Sequence, residues 1–487
     1  MPHPRRGFVL AARVGKQDKF VSGRIKNGRF NNAVFGSRMS LLAQFDSDHL
    51  EEVGARLHAF AAELYPICRS ITGPGIRQTL ARLAERLPLD VVEVPSGAPV
   101  FDWTVPQEWT LREAWIKNAA GERVVDLARS SLHVVSYSTP VRAVLSLAEL
   151  KKHLHTLPDR PAWIPYRTSY YAPSWGFCLS HDQLASLPDE SYEVCIDSSL
   201  EDGHLCYGEL LLPGASREEV LISVHICHPS LANDNLSGLT VAAALAGLLK
   251  GRNLRYSYRF LFLPGTIGAI TWLAQNRATA PNICHGLVLT CIGDAAGFHY
   301  KKTRQGDAAI DRVMAHVLRH CAEPSALLDF SPYGYDERQY GSPGFNLPVG
   351  CLMRSVWGSF PEYHTSADNL DFIRPLQLAR SLRLLVAAVH VLENDAVYMN
   401  QNPFCEPQLG KRDLYRSTGG GSIDEAIHAR LWVLNLSDGA HSLLQIAERS
   451  GLPFAVIHEA AQLLAHAGLL APAPLAAEQR RAFSIRS

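Results

Sequence analysis

Several features that would assign a protein to a class at once are missing from this sequence. The 487 residues carry no formal net charge, because 47 Lys and Arg balance 47 Asp and Glu. No overall field therefore favours nucleic acid, an anionic membrane or an acidic substrate. No run of eighteen or more apolar residues occurs, and the early apolar run at 8–12 is too short for a secretory signal. We expect a soluble protein with no membrane partner, whose other partners follow from local chemistry.

Cysteine residues are present, but a disulfide pattern is lacking. Ten cysteines occur without short, regular spacing. Such usage is typical of reduced and mostly buried thiols rather than of a small disulfide-stabilised fold. This observation predicts a cytoplasmic location.

The pattern of apolar and polar residues changes along the chain and divides the chain into segments. Residues 1–44 are basic without clear apolar periodicity, which predicts a disordered tail. Residues 45–91 repeat apolar side chains at helical spacing and form the first part of a main domain. Short β-type runs separated by turns follow at 92–190 and predict a β-rich inserted domain. Between 191 and 402 wholly apolar strands alternate with helices, which predicts an α/β fold with a mostly parallel central sheet covered by helices on both faces.

The last segment, residues 403–487, predicts a small winged-helix-like domain from its helix, turn, helix, helix order. Its final helix, at 453–468, contains no Lys or Arg. Such a helix lacks the side chains that supply phosphate and base contacts. We therefore expect no nucleic-acid partner and favour an intramolecular or dimerisation role, which leaves a homo-oligomer open.

The stretch HICHPSLANDNLSG, residues 225–238, follows a buried strand of the predicted sheet. Ligand sites in such sheets lie beyond the carboxyl ends of the strands. His225, His228 and Asp234 would meet there, and imidazole and carboxylate groups are ligands that zinc prefers. A structural turn is the alternative explanation.

Other polar clusters occur at predicted strand ends or in turn-rich segments. PEYHTSADNL at 361–370 contains a histidine, and GDAAG brings an aspartate directly after a strand. Metal ligands, a base and a cation are what a hydrolytic site needs. YDERQYGSPGFNLPVG at 335–350 is a third such segment. The candidate residues in the three segments are Asp294, Asp336, Glu337, Arg338, Glu362, Tyr363 and His364.

Taken together, these motifs resemble those of the M28-type zinc aminopeptidases. ANDNLSG resembles the segment around the bridging aspartate of that family, and EYHTSADN is similar to the segment of its last metal histidine. The β-rich insert and the C-terminal winged-helix pattern are similar to a bacterial aminopeptidase-like branch. The resemblance covers about residues 48–402.

The resemblance implies roles for individual residues. Asp234 would be the central metal ligand, His364 another ligand, and Tyr363 the donor that stabilises the oxyanion. Asp294 would be a ligand or a group that supports one. The first histidine ligand stays open between His225, which matches best by position, and His228.

One departure from the family pattern bears on the metal count. Where the family has two consecutive glutamates after the next strand, this sequence has Gly265 and Thr266. The departure favours one zinc, or another divalent ion, over two. The general base must then be Glu337, Asp336 or Glu362, while Arg338 is a candidate for binding a substrate carboxylate.

The predicted function is metal-dependent hydrolysis of an amide bond in a small peptide or aminoacyl-type amide. The alternative is a metal-binding pseudoenzyme, or a small-molecule binding protein, that has lost peptidase catalysis. Missing glutamates are its best support. The aromatic stretch at 166–178 is either a wall of the substrate pocket or a local core of the insert.

Overall fold

The computed structural model describes residues 47–415 and 424–473. The described residues belong to one compact unit, Leu41–Ser487. The basic tail predicted for residues 1–44 lies outside the described residues.

The described residues form α-helices and β-strands that we number in chain order. The helices are α1 Ser47–Leu64, α2 Pro74–Ala84, α3 Leu147–Leu150, α4 His181–Ala185, α5 Gly238–Leu249, α6 Ile267–Gln275, α7 Ala309–Arg319, α8 Glu337–Tyr340, α9 Pro375–Asn394, α10 Glu425–Leu436, α11 Leu443–Ser450 and α12 Phe454–His466. The strands are β1 Asp90–Pro95, β2 Pro99–Val100, β3 Trp103–Thr104, β4 Glu108–Lys117, β5 Arg123–Asp126, β6 Val141–Ser146, β7 Leu154–His155, β8 Phe177–Cys178, β9 Ser191–Glu201, β10 His204–Leu212, β11 Glu219–His225, β12 Ser257–Leu263, β13 Ile283–Leu289, β14 Phe298–Lys301, β15 Ser325–Leu328, β16 Val349–Met353, β17 Val397–Asn400, β18 Asp438–Ser442 and β19 Leu470–Pro472.

An eight-stranded sheet forms the centre of the molecule, in the order β1-β10-β12-β11-β13-β16-β14-β15. Its middle strands β12, β11, β13 and β16 are parallel, whereas β1 and β10 pair antiparallel with their neighbours. Strand β14 pairs antiparallel with β16 and parallel with β15. Strands β11 and β12 are buried along their whole length. Complete burial is expected of parallel strands that helices cover on both faces. The α/β fold predicted from the sequence is confirmed.

The β-rich insert is built on a second sheet, in the order β5-β4-β9-β6. The sequence pattern predicts that the insert ends at residue 190, but β9, Ser191–Glu201, pairs with both β4 and β6. The insert therefore continues to the end of β9. The residue pattern does not reveal this boundary, because β9 is followed directly by another strand, β10, which belongs to the central sheet.

Helices α10, α11 and α12 and the sheet β18-β17-β19 form the C-terminal winged helix. Strand β17 begins at Val397, earlier than the boundary at 403 that the sequence suggests. Helix α12 buries Phe454, Ile457 and Leu464. Its apolar face thus packs inside the protein.

Helix α9 alone among the described helices is long and apolar enough, by length and composition, to cross a membrane. However, 61% of the apolar 18-residue stretch of this helix is buried inside the protein. There the helix packs against α1, α5 and α7. This burial explains its composition as that of a core helix.

Candidate metal centre

Asp234 is the centre of a cluster at the carboxyl end of β11. Its carboxylate Oδ1 lies 2.8 Å from Nε2 of His225, and Oδ2 lies 3.0 Å from Nε2 of His364 and 3.4 Å from Nδ1 of His228. Three imidazoles from one strand end, one turn and one distant loop therefore converge on one carboxylate. All four of these side chains were singled out by the sequence motifs.

The donor set fits zinc. Ligand atoms of His225, His228 and Asp234 all lie within 4.8 Å of one another, and His364 adds a further nitrogen beside the same carboxylate. Nitrogen and oxygen donors of this kind are those of tetrahedral zinc sites. Asp234 and His225 are buried, whereas the His364 side chain is 34% exposed, so the cluster opens toward solvent on the His364 side.

The electrostatics of the cluster suit metal ligation. Burial by itself raises the pKa of Asp234, but the charges of His228 and His225 and their hydrogen bonds outweigh it and hold the pKa well below its usual value. Burial lowers the pKa of His364 against the opposing effect of Asp234. An ionised carboxylate and a neutral imidazole are the protonation states in which these groups bind a metal.

Asp368 joins the loop of His364 to the turn of Asp234. Its two carboxylate oxygens accept the backbone N–H groups of Asn233 (2.5 Å) and Asp234 (2.9 Å), and its backbone oxygen accepts the N–H of Ala232 (3.0 Å). Burial raises its pKa to about 8, although the hydrogen bond from Asn233 opposes the shift. No role is predicted for Asp368 from the sequence, where its position four residues after His364 is the available signal.

Aromatic rings fix the orientation of the imidazoles. Tyr335 stacks on His225 with centroids 4.8 Å apart, and Tyr363 stacks on His364 at 3.9 Å. The Tyr335 hydroxyl donates to the Tyr363 hydroxyl at 3.0 Å, which leaves the proton of Tyr363 free to be donated elsewhere. Tyr166 of the insert meets the His364 ring edge-on at 5.2 Å.

Asp336 contacts the segment in which the family pattern has two glutamates. Its Oδ1 accepts the backbone N–H of Thr266 at 2.6 Å, so a carboxylate from a distant segment lies beside Gly265 and Thr266, which have none. Burial raises the pKa of Asp336 to about 7, against the hydrogen bond from Thr266. A carboxyl group with such a pKa is suited to proton transfer near neutral pH.

The remaining predicted residues lie around the cluster in other roles. Glu337 forms a buried ion pair with Lys301 at 2.6 Å. Arg338 is half-buried, and its Nε has no hydrogen-bond partner among the described residues. Asp294 accepts hydrogen bonds from Asn233 Nδ2 (2.7 Å) and from the backbone N–H groups of residues 296 and 355. These contacts place Asp294 behind Asn233, as a support of the turn that carries Asp234.

Comparison with known proteins identifies relatives of both parts of the chain. Residues 58–395 match the family described as a domain of unknown function, DUF4910, and residues 396–472 match a winged helix-turn-helix family. A protein of Clostridium acetobutylicum named "Putative polysaccharide biosynthesis protein with aminopeptidase-like domain" is 50% identical over 422 residues, which cover 86% of this chain and 96% of the relative.

Solved structures share the fold. A crystal structure described as a putative peptidase from Clostridium acetobutylicum has a TM-score of 0.83 and 48% identity, covering 87% of this chain and 98% of the other. A zinc aminopeptidase from Bacillus subtilis has a TM-score of 0.51 at 14% identity, covering 70% and 95%, a likeness of fold alone. The chain belongs to the DUF4910 family, an aminopeptidase-like branch with the fold of the M28-type zinc aminopeptidases, and it carries a C-terminal winged helix.

Proposed function

We propose that the protein is a metal-dependent hydrolase of amide bonds that binds one zinc ion through Asp234, His364 and one of His225 and His228, with the fourth coordination position left for water. The convergence of three imidazoles on one buried carboxylate is the observation that carries the proposal. The aminopeptidase-like fold and the zinc aminopeptidase among the structural neighbours support it.

A zinc ion bound there would polarise the scissile carbonyl and lower the pKa of a bound water. Asp336 is the general base in this proposal, taking a proton at its carboxylate and returning it to the leaving amine. The hydroxyl of Tyr363 donates to the oxygen on which negative charge develops. Tyr335 holds that hydroxyl in place through their hydrogen bond.

The carboxylates near the site support a single ion in this proposal. Glu337 is neutralised by Lys301, and both oxygens of Asp294 accept hydrogen bonds from amide groups. Gly265 and Thr266 supply no carboxylate at all. The proposed substrate is a small peptide or aminoacyl-type amide. Loss of the glutamate pair favours the second candidate function, a metal-binding protein without turnover.

The test is hydrolysis of small peptide and aminoacyl amides by zinc-loaded full-length protein. We expect turnover that a chelator abolishes and that zinc restores. Asp336→Asn should lower kcat by about 100- to 1000-fold because a general base contributes on that order, with the zinc content unchanged. Glu362→Gln, a half-buried carboxylate on the loop of His364, is the matched control and should retain activity.

Two outcomes would contradict this proposal. Zinc-loaded protein that hydrolyses none of the amides would support the binding alternative. Loss of activity in Glu362→Gln but not in Asp336→Asn would keep the hydrolase and move the base to Glu362.

A further inference from the structure

A cleft of about 670 Å³ opens beside the metal centre. One wall is the loop that carries Tyr363 and His364, and the other wall is residues 154–160 and 165–167 of the insert. The volume is in the range of small-molecule sites. Since His364 is the exposed member of the cluster, a molecule in this cleft can reach the metal centre.

The insert is fixed directly to the loop of His364. The backbone N–H of Tyr166 donates to the carbonyl oxygen of His364 at 2.8 Å, and that of Ser366 donates to the carbonyl of Ile164 at 2.8 Å. The Ile164 N–H also donates to Ser366 Oγ at 3.0 Å. These three bonds hold the insert's wall of the cleft in register with a metal ligand. Side chains of the insert that contact a bound molecule are therefore held in a fixed position relative to His364.

Two arginines of the insert line this cleft without carboxylate partners. Arg167 donates to Nδ1 of His155 at 3.1 Å, and the Arg160 guanidinium lies 4.8 Å from the ring centroid of Trp163. In the part of the chain that the structure describes, neither guanidinium lies within ion-pair distance of a carboxylate. Asp159 is the acidic residue of the described lining. Two guanidinium groups therefore outnumber the one carboxylate among the charged side chains of the described lining.

Such a lining selects the charge of the substrate. A protonated amine needs acceptors when it leaves water, and the hydroxyl of Tyr166 is already paired with Tyr170 at 3.0 Å. A guanidinium instead presents a planar set of donors that matches a carboxylate or a phosphate. Arg167 directly follows Tyr166, whose ring lies 5.2 Å from that of His364.

We propose that the substrate carries an anionic group, a carboxylate or a phosphate, which Arg167 binds with support from Arg160 while the scissile amide lies at the metal centre. This inference rests on the proposed function and deepens it. In this inference the substrate is a short amide, such as a dipeptide, whose terminal acid binds Arg167. The insert then serves as the element that recognises the acid.

The experiment compares three matched substrates of the zinc-loaded protein: alanyl-alanine, its C-terminal amide, and the analogue with a phosphonate in place of the carboxylate. We expect kcat/KM for an acid form to exceed that of the amide by at least about 10-fold, mostly through KM, as a charged hydrogen bond provides. The carboxylate-to-phosphonate ratio then identifies the preferred anion. Arg167→Ala should bring acid and amide close to equal, and Arg160→Ala should narrow the difference less.

Arg142→Ala is the matched control, because Arg142 is an exposed arginine of the same insert outside the cleft lining. It should keep the full preference, and thermal denaturation should show Arg167→Ala folded. Active enzyme with equal kcat/KM for acid and amide would overturn the inference and leave the proposed function standing.

If no substrate turns over, calorimetric binding of the acid and the amide separates the two claims. Tighter binding of an acid form that Arg167→Ala abolishes would support the recognition site while the hydrolase proposal fails. Equal binding of acid and amide would overturn the recognition site as well.

Discussion

Two groups of histidines in this protein have opposite surroundings. The imidazoles of His225, His228 and His364 face the carboxylate of Asp234. A second group, which we call the junction histidines, lies where α7 and α9 meet the winged helix and comprises His316, His320, His390 and His458. Within the described residues, no carboxylate lies within ion-pair distance of the junction histidines. A converging carboxylate, and not the number of histidines, therefore distinguishes the candidate metal site.

The junction histidines act as neutral aromatic rings. Nε2 of His316 accepts the backbone N–H of Phe454 at 3.0 Å, and the His390 ring lies 5.7 Å from that of Phe454 and 5.1 Å from that of His458. Burial, together with a smaller effect of neighbouring basic groups, lowers the pKa of His316 and of His458 to about 4. These rings attach the winged helix to the main domain by packing and one hydrogen bond.

Removing one imidazole from each group gives the largest expected contrast. His364→Ala should weaken zinc affinity by at least about 100-fold, because loss of a ligand should exceed the 10- to 100-fold effect of outer contacts. His316→Ala should leave zinc affinity unchanged. Competition with a zinc-binding dye measures both. Equal affinities for the two variants would remove His364 from the ligand set and break the comparison.

Asp368→Asn tests how the candidate site is held together. The variant replaces one of the two oxygens that accept the N–H groups of Asn233 and Asp234, so the turn that carries Asp234 loses an acceptor. We expect a fall in zinc affinity of about 10- to 100-fold with the chain still folded. Competition with the zinc-binding dye measures the zinc affinity of this variant, and circular dichroism checks that the variant is folded. Unchanged affinity would show that Asp234 is positioned without Asp368.

The junction histidines predict the smallest effect, a loss of stability in acid. Their pKa lies below that of the unfolded chain, about 6.5, so the unfolded state binds more protons between pH 6.5 and pH 4 and stability falls as the pH falls through that window. After allowance for solvent screening, His316 should contribute about 1 kcal/mol between pH 7.5 and pH 5.

His316→Gln is the comparison for this acid effect, since an amide oxygen can still accept the N–H of Phe454 but does not titrate near pH 5. Urea denaturation of both proteins at pH 7.5 and pH 5 gives the difference. The variant should lose less stability than the wild type on acidification. An equal loss in both would show that His316 does not titrate on unfolding.

The sequence predicts those parts of the site that depend on local pattern. A wholly apolar strand followed by a polar turn and an apolar helix indicated where His225, His228 and Asp234 lie relative to the sheet, and the motif around His364 indicated a second segment of the same site. Strand β11 and helix α5 do flank this turn. The residues of each segment themselves indicate which side chains are buried. Predicting these segments therefore required no knowledge of contacts between distant parts of the chain.

Contacts between distant segments could not be predicted in this way. The approach of Asp336 to Thr266, of Asp368 to the turn, and of Arg167 to the loop of His364 depends on how separate loops pack. Strands β9 and β17 likewise join their sheets through pairing with remote strands, across the boundaries that the sequence suggests. Strand pairing over long sequence separations leaves little local signal.

The most direct test of the central claim is the zinc content per chain, measured by elemental analysis of untagged full-length protein after dialysis against zinc. Wild type, Asp234→Asn and His316→Gln are compared side by side. The account predicts about one zinc in the wild type, almost none in Asp234→Asn and about one in His316→Gln. A wild-type protein without zinc, or an Asp234→Asn variant that keeps it, would contradict the assignment of this cluster as the metal centre.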